Sequence, residues 1–165
     1  MAPVIRPAVP GDAEALAGLI QGAFAEYGGR LVPPSAALDE TPEGIAAELA
    51  GAYGAAIAEL DVGAGGRGVA AGCVLFRPED DDLYFGRLSV LPPYRRAGIA
   101  RVLVEYVEAE TVRRGCPGVV LGVRIALPAN QRFFATLGYV EVARHAHAGF
   151  DHDTWIEMRK ALAPR

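Results

Sequence analysis

Leu88-Ser-Val-Leu-Pro-Pro-Tyr-Arg-Arg-Ala-Gly-Ile-Ala-Arg101 runs from an extended apolar segment, through two prolines and two arginines, into a helical pattern. Tyr84, Leu88 and Val90 alternate with Leu83, Phe85 and Ser89, so both sides of an extended chain carry apolar groups, as in a strand in the middle of a sheet. Pro92 and Pro93 cannot continue a ladder and bias Leu91 away from helix, which stops the strand there. Beyond the arginines, Ile99, Val102, Leu103, Tyr106 and Val107 recur at helical spacing and leave Arg101, Glu105 and Glu108 for the solvent face.

The first turn of such a helix offers amide N–H groups with no partner inside the helix, and the macrodipole adds positive potential at the same end. An anion docks there readily. Gly98 and Ala100 leave the main chain accessible, while Arg95, Arg96 and Arg101 supply charge. The outline is that of a pyrophosphate cradle. It is not the P-loop, because no Gly-Lys-Ser/Thr follows, and it lacks the three glycines of the dinucleotide fingerprint. A basic turn opening an amphipathic helix is also the pattern of an ordinary solvated turn, so its context has to decide.

Outward from this stretch, 165 residues suit one domain, expected to span residues 1–165. With 52% hydrophobic and 22% charged residues, the composition is that of a globular chain and not of a disordered or fibrous one. No apolar run is long enough for a bilayer, and Met-Ala-Pro-Val-Ile-Arg has neither the basic region nor the apolar stretch of a leader. The expectation is a cytoplasmic protein with no membrane partner. A net charge of -4 argues against a nucleic-acid surface, and makes the arginines near position 95 a local positive patch suited to a phosphorylated small molecule. Cys73 and Cys116 lie far apart in no metal or redox spacing, and neither is expected to be catalytic.

Val4 to Arg6 reads as a strand, and Asp12 as the N-cap of a helix with Leu16, Leu19, Ile20 and Phe24 on one face, ended by Gly28-Gly29. Residues 28–41 show no periodicity, and Pro33-Pro34-Ser35 forbids regular structure. Thr41 caps a short helix that starts at Pro42 and buries Ile45 and Leu49. Ala55 to Leu60 and Val69 to Phe76 read as a hairpin, and Pro78 to Asp82 as a turn whose carboxylates enter no site. Val119 to Ile125 is a strand, Pro128 begins a helix with Phe133, Phe134 and Leu137 on its apolar face, and Tyr139 to Ala143 and Thr154 to Met158 are the last strands. Antiparallel hairpins with one strand-helix-strand crossover fit a mixed sheet flanked by helices.

Arg95-x-x-Gly98-x-Ala100, following a strand and opening a helix, resembles the Gln/Arg-x-x-Gly-x-Gly/Ala acetyl-CoA signature of the GNAT superfamily of N-acetyltransferases. Asn130-Gln-Arg-Phe-Phe-Ala-Thr-Leu-Gly-Tyr139 is similar to that family's second signature, Asn-x-x-Phe-Tyr-x-x-Leu-Gly-Phe. The order and context of both match, and the resemblance covers nearly the whole chain. It implies the acyl-CoA N-acyltransferase fold, an α/β (α+β) arrangement with a mixed, mostly antiparallel sheet of six to seven strands flanked by about four helices. It also implies an enzyme that moves the acetyl group of acetyl-CoA to a primary amine of a small molecule or protein by direct attack, with no metal.

Carried over position by position, the resemblance gives Leu88 and Val90 main-chain bonds to the pantetheine arm. The Val90 N–H gains a catalytic role as oxyanion-hole donor. Arg95, Arg96, Ala97, Gly98, Ile99, Ala100 and Arg101 would hold the diphosphate, with Asn130 and Phe133 flanking the arm. Many relatives pair as dimers, so a homodimer is one option. Where the family often has a tyrosine proposed to protonate the leaving thiolate, this chain has Phe134. Two alternatives therefore stand beside the enzyme: a catalytically silent acyl-CoA-binding sensor or scaffold, and a phosphate-binding module unrelated to CoA.

An acceptor amine is mostly protonated near neutrality, with a lysine-like pKa of about 10.4, so a base is needed. Glu26, Glu40, His145 and Asp151 lie in segments that could line the acceptor side. His145, His147, Asp151, His152 and Asp153 are residue types that bind zinc, but they form no closed ligand spacing and are expected to be loop or entrance residues. Tyr139 reads as a core aromatic and Trp155 as packing in the last strand.

Overall fold

The strands are β1 (Val4–Pro7), β2 (Gly54–Leu60), β3 (Val69–Glu79), β4 (Asp82–Val90), β5 (Gly118–Arg124), β6 (Val140–His145) and β7 (Trp155–Ala161). The helices are α1 (Ala13–Phe24), α2 (Pro42–Ala50), α3 (Ile99–Arg113) and α4 (Pro128–Thr136). The computed structural model describes residues 2–66 and 68–163. One sheet holds all seven strands in the order β1-β2-β3-β4-β5-β7-β6. Every pairing is antiparallel except β4 with β5, where α3 makes the crossover. The mixed, mostly antiparallel sheet flanked by helices is the arrangement expected from the sequence.

Alternation along the strands sends side chains to two cores. Ala55, Ile57, Cys73 and Leu75 pack under α1 and α2 with Leu16, Ile20 and Ile45. Val74, Phe76, Leu83, Phe85, Val119 and Leu121 pack under α3 and α4 with Ile99, Leu103, Val107 and Phe134. In α3 the buried face also takes in Val104, which the sequence pattern passed over. Glu108 does not face open solvent as expected. Lys160 donates to its carboxylate at 2.8 Å and the Tyr139 hydroxyl lies 3.5 Å away.

The predicted turn at Pro78–Asp82 tightens, because β3 continues to Glu79, which pairs with Asp82 and leaves Asp80 and Asp81 at the tip. A larger difference lies further along β4. Leu75 pairs with Gly86 and Cys73 with Ser89, so Arg87 and Leu88 together oppose Val74. This β-bulge, with Arg87 at φ +54°, resets the alternation. Leu88 and Val90 therefore pack on the same core as Leu83 and Phe85, and Tyr84 lies on the opposite side from them, contrary to the simple period-two reading.

The start of β4 is clamped. Arg159 on β7 reaches across the beginning of β5 to Asp82, with Nε to Oδ2 at 2.8 Å and Nη2 to Oδ1 at 2.9 Å. Gly118 makes room for it, since a Cβ there would come within 2.4 Å of the guanidinium. The Arg159 bonds hold the Asp82 carboxyl below its ordinary range. The stabilisation is therefore complete above the unfolded-state value and is lost as pH falls through the folded one. D82N is expected to lower the Tm at pH 7 by the equivalent of about 1 kcal/mol, with the gap closing in strong acid. Thermal unfolding of both proteins across that pH range checks this.

Candidate active site

Only Leu83 with Val119 and Tyr84 with Val120 pair between β4 and β5. Past the clamp the strands part, and Gly122 in the middle of β5 is exposed although it lies inside the sheet. The Leu91 N–H donates to the Ala71 carbonyl at 2.9 Å, so by antiparallel alternation the Val90 main-chain groups turn away from β3 toward the gap. The Val90 carbonyl accepts from Arg95 Nε at 3.0 Å, which leaves its N–H as the group presented to the opening. Leu88, two residues back, shares that side of the strand.

One mouth of the gap is a cleft of about 510 Å³. It brings together Leu88, Val90, Arg95, Arg96, Gly98, Ile99, Ala100, Arg101, Asn130 and Phe133 from the sequence-derived set, and omits only Ala97, which is exposed in the same turn. Pro92–Tyr94 forms one 3-10 turn, then Arg96 at φ +63° and Gly98 at φ +78° fold the chain so that α3 starts at Ile99. The left-handed backbone at position 98 suits glycine, and the amides of Ile99, Ala100 and Arg101 begin the helix without intrahelical partners.

The three arginines differ in how far the protein engages them. The Arg95 side chain is engaged inside the protein, to the Val90 carbonyl, to the Ala23 carbonyl at 3.0 Å, and to Glu26 at 2.7 Å. It braces the end of β4 against α1. Arg96 has no carboxylate partner among the described residues, and Arg101 makes a loose exposed pair with Glu105 at 3.4 Å. These two guanidiniums are less engaged by the protein than that of Arg95. Across the cleft, Phe133 lies beside Phe134, whose ring meets Phe85 and Tyr139 edge-on with centroids about 6 Å apart. Tyr139 is a core aromatic, as expected, and burial together with Glu108 pushes its hydroxyl well above the ordinary tyrosine range.

The other mouth is a cavity of about 380 Å³ walled by α2, β3 and the link between β6 and β7. Gly86, Arg87, Gly122, Val123 and Arg124 line both spaces, so the two meet through the gap in the sheet. Of the proposed bases, Glu40 lines this cavity but is paired with Arg87 at 2.8 Å. Glu26 belongs to the first mouth, bound to Arg95. Asp151 is fully exposed beside His152, and His145 stacks on Trp155 at 4.2 Å. None of these three lines the second cavity.

Several residues that do line it were missed from the sequence. Glu48 points inward from α2, where burial and then the nearby Glu40 charge raise its pKa. The signal was its i+3 spacing from the buried Ile45. Arg77 lies with its guanidinium over the Tyr84 ring at 4.5 Å and pairs with Glu79 at 3.1 Å. Arg124 hydrogen-bonds the Pro34 carbonyl at 3.3 Å, and burial lowers its pKa. His147 contacts the Thr154 hydroxyl through Nδ1. Burial, then the Arg124 charge, holds its pKa below the usual imidazole value. Long-range packing brings these together, which local spacing does not record.

No group of three or more metal-type ligands converges among the described residues. Cys73 is fully buried and its thiol is pushed up to about 12, where it is inert as a nucleophile. No described helix is long and apolar enough to cross a membrane.

The family model for the acetyltransferase (GNAT) family matches residues 24–139. No curated protein matches the sequence. Among solved structures, the ribosomal-protein-S18-alanine N-acetyltransferase from Escherichia coli superposes with a TM-score of 0.74 at 20% identity, over 99% of this chain and 96% of that one. PaiA N-acetyltransferase from Thermoplasma acidophilum, solved in complex with coenzyme A, gives 0.74 at 17% identity over 95% and 98%. A GNAT-family acetyltransferase from Staphylococcus aureus Mu50 gives 0.74 at 16% over 98% and 100%. At these identities the superpositions carry the fold, and the family model carries the membership. With the family model matched over most of its length, the chain belongs to the GNAT acetyltransferase family.

Proposed function

We propose that this protein acetylates a primary amine by direct attack on acetyl-CoA, with the two molecules entering the sheet gap from its opposite mouths. The observation that carries this reading is the meeting of both cavities between β4 and β5, beside the Val90 N–H. The residues of the first mouth fit the cosubstrate. The α3 amides with Arg96 and Arg101 suit a diphosphate, the open edge of β4 at Leu88 and Val90 suits an amide-bearing arm, and Asn130 and Phe133 close the far side.

When bound, acetyl-CoA supplies an activated acyl carbon: the N–C bond forms as the C–S bond breaks and the thiol departs. The Val90 N–H stabilises charge on the carbonyl oxygen. Glu48 takes the proton that the acceptor ammonium must lose, its raised pKa bringing a carboxylate closer to the basicity this step requires. Phe134 cannot donate a proton, so a thiol of pKa about 8.5 leaves without a tyrosine acid and is protonated from water. The same residue motivates the silent-sensor reading, which predicts acetyl-CoA binding with no thiol release from any amine.

Titration calorimetry with acetyl-CoA tests the first mouth, and absence of binding at high micromolar ligand sinks the proposal. Gly98→Val places a β-branched residue in left-handed backbone at a cost of about 1–2 kcal/mol, and is expected to raise Kd roughly tenfold with the fold retained. Arg96→Ala, which introduces no strain, is expected to weaken binding severalfold. Unchanged affinity in both would show that the cradle lies elsewhere.

Because Glu48 acts deprotonated, kcat/KM of the parent is expected to rise with pH through a limb above the ordinary glutamate range. Glu48→Gln should remove that limb and lower kcat/KM roughly a hundredfold with acetyl-CoA affinity unchanged. A pH profile of thiol release for both proteins decides this.

A further inference from the structure

The second cavity contains more charged groups than it has uncompensated charge. Arg87 is neutralised by Glu40 at 2.8 Å and Arg77 by Glu79 at 3.1 Å, while His147 is bonded to Thr154. Among the described residues this leaves one anion, Glu48, and one cation, Arg124, without an ion-pair partner on the same cavity wall. Among the described residues the Arg124 guanidinium bonds only the Pro34 carbonyl, through Nη2, which leaves the other donors of its fork free for a ligand. The wall also carries the aromatic rings of Phe24, Tyr53, Tyr84 and Trp155.

We infer that the acceptor is a small amino acid, a primary amine and a carboxylate on one molecule, with the carboxylate paired to Arg124 and the amine held beside Glu48 at the sheet gap. A single unpaired guanidinium balances a monoanion better than a dianionic phosphate, and a planar carboxylate matches its fork in a bidentate pair. A zwitterion leaves the cavity neutral, whereas a simple monoamine leaves Arg124 desolvated without a counterion. The aromatic wall favours an apolar side chain over a charged one. A peptide N-terminus or a lysine of a protein has no carboxylate adjoining the amine and does not answer this charge pattern.

This inference rests on the acetyltransferase reading for the direction from which the amine arrives, and its test is separate. Calorimetry is performed with the common α-amino acids, β-alanine and γ-aminobutyrate, each beside its carboxamide, with and without coenzyme A. At least one free acid is expected to bind, its carboxamide roughly tenfold more weakly, and Arg124→Met should abolish the difference. Arg124→Lys should restore part of the preference. Equal affinity for acid and carboxamide in the parent, or no binding by any member of the panel, overturns the inference even if acetyl-CoA binds normally. Loss of acetyl-CoA binding in the parent, with the acid preference intact, would instead overturn the acetyltransferase reading. In turnover assays the same acids should release thiol faster than their carboxamides, by an effect on KM more than on kcat.

Discussion

With Arg87 in left-handed backbone and Leu88 behind it, two residues of β4 face Val74 alone, and the strand turns where its pairing with β5 ends. A bulge increases local twist, and a non-glycine residue in this region costs on the order of 1 kcal/mol, so the surrounding structure must hold it there. Two contacts do so. Arg87 is tied to Glu40 ahead of α2, and the Ser89 hydroxyl donates to the Arg87 carbonyl at 2.9 Å. At the closed end, the Asp82–Arg159 pair keeps β4 and β5 in register for two residues. The opening between the strands is a property of the sheet's own geometry and needs no movement to form it.

An opened parallel pair leaves main-chain groups that a buried position does not tolerate without partners. Arg95 satisfies the Val90 carbonyl from within, and thereby fixes the end of β4 against α1 through Ala23 and Glu26. The amide of the same residue is left facing the cleft. The bracing arginine and the available arginine are adjacent in sequence and have different tasks, because Arg96 in left-handed backbone is turned away from the contacts that Arg95 makes. Charge on the other mouth follows a similar economy. Two of its three arginines are neutralised by neighbouring glutamates, which concentrates the residual field at Arg124 and Glu48.

Much of this was legible in the chain itself. Periodicity located the helices that begin near Ala13, Pro42, Ile99 and Pro128, since each carries local caps, prolines or apolar spacing that act within one or two turns. The strand ending before Pro92 and the glycine opening α3 were equally local signals. The period-two reading failed at Arg87 because a bulge is decided by which residues of the partner strand lie opposite. Glu108 was assigned to solvent because its partner, Lys160, lies far along the chain. Of Glu26, Glu40, His145 and Asp151, drawn from loops and strand ends, only Glu40 lines the second cavity, whereas Glu48 on a short helix also reaches it.

Sequence alone determined the family, the glycine turn that opens α3 and the absence of a tyrosine at position 134, since these depend on residue identity at fixed short spacing. Tertiary structure decided which charges are neutralised, that Arg95 braces while Arg96 remains available, and that Glu48 and Arg124 share a wall with Tyr84 and Trp155. The physical reason is range: a cap or a turn is settled by bonds between near neighbours, but net charge in a cavity is a sum over side chains that only the folded sheet brings together.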